Sequence, residues 1–132
     1  MKTKRFWLSL LCVFITFEVI NFIVHSLILG SAYMELQNIW RPEMMEMMWG
    51  MYLINLFVCA LFVYIFIKGY EGKGIMEGAR YGLLIGLLMN TAGAFYQYIL
   101  YPIPFAIIIQ WFVFGMIQYL ACGIVAAAVY KK

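Results

Sequence analysis

Four long apolar stretches alternate with short polar segments along the chain. They cover about residues 6–30, 48–67, 81–100 and 104–130. Coiled as helices at 1.5 Å per residue, all four are long enough to cross a hydrocarbon core of ~30 Å. The pattern predicts an all-α protein, an integral membrane four-helix bundle, with residues 1–132 forming a single transmembrane domain. A Met-rich outer loop, 31–47, joins the first two spans, and Pro42 suits the first position of a helix that leads into the second. Glu43 and Glu46 then fall in its opening turn. Tyr101-Pro-Ile-Pro104 is a short, stiff turn that makes the last two spans antiparallel neighbours.

Composition sharpens this picture. The chain is 67% hydrophobic and only 11% charged, where soluble domains carry charge on about a quarter of positions. Almost nothing remains for a soluble domain, a catalytic loop or a nucleic-acid surface, so the lipid bilayer is the expected partner. Lys2, Lys4 and Arg5 precede the first span. Lys68, Lys73 and Arg80 lie at the second turnaround, Lys131 and Lys132 end the chain, and only Arg41 falls in the opposite loops. The positive-inside rule therefore places the N-terminus and the C-terminus in the cytoplasm, and an even number of spans independently puts both on one side. The first apolar run continues past a signal-peptide core and has no A-x-A-like site, so it reads as an uncleaved span. Cys12, Cys59 and Cys122 sit inside spans without a C-x-x-C pair and read as small packing residues.

Against this apolar background the polar residues stand out. Glu18, Asn21 and His25 share a narrow arc of the first helix, with Asn21 spaced to bridge the other two. A carboxyl at the middle of a span costs ~3 kcal/mol on insertion scales, so it needs partners. Counting helix rise puts Glu18, Asn90 and Gln118 near the midplane. His25, Asn55, Gln97 and Gln110 fall roughly 6–10 Å below the outer surface. The two layers read either as buried groups satisfying one another or as the lining of a proton, cation or substrate site.

Gly78, Gly82 and Gly86 recur every four residues and continue in phase to Asn90 and Ala94. Gly115 and Gly123 mark a second smooth face. Both predict close helix packing. Met44, Met47, Met48 and Met51 form two Met-x-x-x-Met pairs on the helix expected from Pro42. They read as adaptable packing or, with His25, as soft ligands for copper. One histidine per chain restricts bis-His haem ligation to a symmetric dimer. With no Asp, no paired carboxylates in one span and no phosphate loop, the sequence is not that of an enzyme, and it requires no cofactor.

Three readings of function remain. One is a transport-like protein with Glu18 as a midplane carboxylate in a polar-lined bundle. The second is a non-catalytic accessory or scaffold subunit of a larger membrane complex, and the third a copper or haem binder. A homo-oligomer or a larger membrane-protein partner accords with the small-residue faces.

Trp40-Arg-Pro-Glu-Met, Lys68-Gly-Tyr-Glu-Gly-Lys-Gly-Ile and Tyr101-Pro-Ile-Pro look similar to uncharacterised bacterial small four-span inner-membrane proteins. This resemblance covers most of the chain and implies a bacterial inner membrane. Glu18-Val-Ile in the first of four spans resembles the small multidrug resistance transporters, whose first-helix Glu binds protons and cationic drugs in an antiparallel dimer. The third-helix Trp and Gly pattern of that family is not matched by 81–100, and the charge bias specifies one orientation. Met47-x-x-x-Met51 with a later Gly-x-x-x-Gly resembles the high-affinity copper transporters, which have three spans.

Overall fold

The computed structural model describes residues 3–36, 38–40 and 42–130. Lys2, Arg41, Lys131 and Lys132, which enter the charge argument above, lie outside the described residues. No strand occurs among those described. The chain forms α1 (Thr3–Phe22), a π-helical segment (Ile23–Ile28), the short α2 (Gly30–Met34) and a 3-10 turn (Met44–Met47). The long helices α3 (Met48–Gly69), α4 (Ile75–Leu100) and α5 (Phe105–Val129) follow. Four helices are long and apolar enough to cross a membrane, Thr3–Ile28, Met48–Gly69, Ile75–Leu100 and Phe105–Val129. The shortest, with 22 residues, is ~33 Å long at 1.5 Å per residue. Leu88, Ile99 and Leu27 typify the large apolar side chains that ring the outside; in a bilayer they form the lipid face.

The ends of the helices differ from expectation in two places. α4 begins at Ile75, ahead of the apolar stretch, because Glu77 organises the turn before it. Its carboxylate accepts hydrogen bonds from the backbone N–H of Glu71 (2.7 Å) and of Lys73 (2.8 Å). An acidic group in a first turn also offsets the helix dipole. Gly72 and Gly74 take positive φ in the same turn, a conformation open to glycine at little cost. The second difference concerns Pro42. The α-helix starts at Met48, not near Pro42, and 44–47 coil more tightly as a 3-10 turn. No side chain caps the start of α3, and uncapped helix entries commonly tighten in this way.

α1 packs on both α3 and α5, and α5 packs most extensively on α4, giving the order α3, α1, α5, α4 across the bundle. α3 and α4 also meet where the Tyr81 hydroxyl donates to the Phe62 carbonyl at 2.6 Å. The α4–α5 contact is backbone-close. Gly78 and Gly82 face Gly123 and Tyr119, Gly86 faces Met116 and Tyr119, and Gly115 lies under the Asn90 side chain. Along the α1–α5 seam, Gln118 Nε2 donates to the Phe17 carbonyl at 2.9 Å. One turn away, Cys122 Sγ sits 3.8 Å from the Val13 carbonyl.

Two apolar cores result. One, built around Val13, Val63, Phe66, Cys122 and Ala126, fills the end that carries Phe6, Tyr130 and the 70–74 turn. The other, around Ala94, Ile103, Ile107 and Ile108, fills the end that carries the long loop.

Candidate functional site

Between the two cores, α1, α4 and α5 do not close completely. They leave a partly open cavity of about 230 Å³, lined on its polar side by Asn21, His25, Asn90 and Gln118. Val24, Ala94, Trp111 and Phe114 supply most of its apolar wall. A single buried water needs only ~10–15 Å³, so the space suits a solute of several non-hydrogen atoms. Among the described lining residues there is no Asp, Glu, Lys or Arg.

The α1 wall depends on the π segment. Leu29 N–H bonds the Val24 carbonyl at 2.9 Å, reaching back five residues rather than four. This wider turn rotates the positions after Phe22 away from the angles an α-helix would give them. Such insertions in a helix occur frequently at functional sites. Here the wider turn holds His25 beside Tyr33 of α2. His25 Nδ1 and the Tyr33 hydroxyl are 2.6 Å apart, and the two rings stack with centroids 5.8 Å apart. Trp111 Nε1–H donates to the same hydroxyl, and Trp40 Nε1–H donates to the Tyr33 carbonyl at 3.1 Å. Tyr33 thus ties two cavity-lining residues on different helices to one another. Burial pushes its phenol up to about 12, against a smaller opposing effect of the Trp111 hydrogen bond, so the hydroxyl keeps its proton across the physiological range. No motif or spacing in the sequence singles out Tyr33. Its role depends on the π turn and on α2, and neither has a signal in the spacing of apolar residues.

The polar residues do not assemble as two stacked layers. Asn90 and Gln118 share the cavity with Asn21 and His25, which joins members of both expected layers. Glu18 instead accepts a 2.7 Å hydrogen bond from Asn55 Nδ2, in the contact between α1 and α3. Asn21 does not bridge Glu18 and His25; it lines the cavity, and its amide has no protein partner among the described residues. Counting rise assumes that all spans begin in one plane, whereas contacts such as Glu18–Asn55 set the actual register. Gln97 lines a separate hollow of about 570 Å³ at the loop end, with Trp40, Pro42, Glu43 and Tyr101. Gln110 is half-buried and lines neither space.

The methionines lie apart from the histidine. Met44, Met47 and Met51 are exposed and Met48 is half-buried, and none of them lines the cavity with His25. The 3-10 turn eclipses Met44 with Met47, so the 44/48 pair does not stack as it would on an α-helix. Among the described residues no three His, Cys, Asp or Glu side chains cluster closely enough to hold a metal ion.

No protein-family profile matches the chain, and neither does any curated protein or solved structure. Fold and composition define the class as a helical bundle with four potential membrane spans.

Proposed function

We propose that this is a small transport-type protein of a bacterial inner membrane, with both termini in the cytoplasm. In this reading the cavity between α1, α4 and α5 receives a solute, and Glu18 takes up and releases a proton as the solute moves. The observation that supports it best is the cavity itself. Four polar side chains converge on one space inside a bundle whose surroundings are apolar, and polar groups kept within membrane spans tend to mark pathways. Glu18 sits one helical turn from Asn21 on the same element. Its hydrogen bond to Asn55 crosses to α3, so a change of protonation there bears directly on how α1 and α3 pack.

The test uses proteoliposomes with a pH-sensitive dye inside and small amides, polyols and quaternary ammonium ions added outside in turn. At least one solute should drive a dye response above that of protein-free vesicles. Glu18→Gln should abolish the response while leaving the helical circular dichroism unchanged. A wild-type protein that is silent to every solute, or an undiminished response from Glu18→Gln, defeats the proposal.

A further inference from the structure

The walls of the cavity specify what it holds. Trp Nε1–H can only donate, so Trp111 occupies a lone pair of the Tyr33 oxygen. The Tyr33 hydrogen then needs an acceptor, and His25 Nδ1 at 2.6 Å is the one beside it. If Nδ1 carried the proton instead, the half-buried Tyr33 hydrogen would have no acceptor. Leaving such a group unsatisfied costs about 1–3 kcal/mol. His25 is therefore assigned as the neutral tautomer with its proton on Nε2. That N–H has no protein partner among the described residues, and it belongs to a side chain on the cavity wall.

The other walls complete the set. Asn21 offers a whole amide, both donor and acceptor. Gln118 uses one N–H on the Phe17 carbonyl and keeps its second N–H and its carbonyl oxygen. Asn90 directs one N–H at the Met116 sulfur, 3.9 Å away, which is a weak partner. Both donors and acceptors thus face the space, and no formal charge lines it. The one carboxylate nearby, Glu18, is turned to Asn55. A cation in this cavity would give up its hydration without a counter-charge, which is prohibitive in a low-dielectric interior. An uncharged solute that both donates and accepts hydrogen bonds incurs no such cost, and Val24, Ala94 and Phe114 accommodate a small apolar part.

We infer that the cavity binds a small neutral solute of the amide or polyol type, held by His25 Nε2–H, Asn21 and Gln118. The inference rests on the reading of this cavity as a solute site and names the class of solute.

The chain has a single histidine, so protein labelled with ¹⁵N-histidine gives one imidazole spin pair that needs no assignment. In nanodiscs, its shifts should report a bare Nδ1 and a protonated Nε2. Acetamide should move the Nε2 resonance saturably, and tetramethylammonium at equal concentration should not. Asn21→Leu should weaken acetamide roughly five- to tenfold, as expected for one lost hydrogen bond. Leu88→Ala, on the lipid face, should leave it unchanged. If Leu at position 21 prevents folding, Asn21→Ser should give an intermediate weakening. A saturable shift with tetramethylammonium alone, no shift with either compound, or a proton on Nδ1 overturns the inference. The dye assay separates the two proposals. Acetamide binding without flux defeats transport and leaves the site standing, while cation flux without acetamide binding does the reverse.

Discussion

Tyr33 joins three aromatic neighbours through one side chain and its own carbonyl. Removing only its hydroxyl isolates that role. Tyr33→Phe keeps the ring stacked on His25 but strands Trp111 Nε1–H and leaves His25 Nδ1 without its donor. A stability loss of about 1–2 kcal/mol follows for a hydrogen bond lost while its partners stay buried, readable as a lower midpoint in detergent unfolding. The difference should also depend on pH. The folded phenol is raised from 10.0 to about 12, so the unfolded chain loses this proton first. The corresponding stability is fully present below about pH 10 and is lost as the pH climbs from 10 toward 12. The advantage of wild type over Tyr33→Phe should therefore shrink across that window; a constant difference would remove Tyr33 as its source. At this scale the sequence was informative only where polarity itself was the signal. Asn21, His25, Asn90 and Gln118 are conspicuous in apolar runs, and they share the cavity. Glu18 and Asn55 were equally conspicuous, but their pairing depends on a register between α1 and α3 that neither helix encodes alone. Tyr33 has nothing in its local sequence to distinguish it from the chain's other aromatic residues.

Among the elements, the α4–α5 hairpin has the tightest contact. A methyl at Gly123 would run into the Gly78 carbonyl and the Gly82 backbone. Backbone cannot rotate aside as a side chain can, so Gly123→Ala should fall at or above the upper end of the ~1–3 kcal/mol typical of overpacking. Gly50, at the start of α3, has nothing within 4 Å of where a Cβ would stand. Gly50→Ala should be neutral or stabilising by up to ~1 kcal/mol from helix propensity. Equal effects of the two substitutions, measured by unfolding in the same detergent, would refute close packing as the reason for the glycine face. This face was readable beforehand because a four-residue spacing is a local property of one helix. The π segment was not, since 23–28 contains no glycine or proline to signal a change of pitch. Neither was the 3-10 entry to α3, where Pro42 and the two glutamates promised an earlier start.

For the whole molecule, spans and connectivity follow from apolar length, which is why they were legible without coordinates. Orientation is a separate matter of charge. With the termini cytoplasmic, as proposed, a membrane-impermeant maleimide added to intact cells should label Glu43→Cys and spare Glu71→Cys. The three native thiols lie within the spans and give little background. The opposite labelling would invert the proposed topology.

The order of the helices across the bundle also bears on how the protein is made. α1 lies between α3 and α5, yet α5 leaves the ribosome after α1, α3 and α4. The Gln118–Phe17 bond therefore joins residues synthesised 101 positions apart. During that interval α1 has α3 as its main partner, and the Glu18–Asn55 hydrogen bond is already within reach. The Glu18 carboxyl group thereby has a hydrogen-bond partner before the second half of the bundle exists. The α4–α5 hairpin, closed by its own glycine contacts and a rigid proline turn, can then dock as a finished piece. On this view the pair that stands outside the cavity in the mature protein acts first in biogenesis, giving the carboxyl group of α1 its partner.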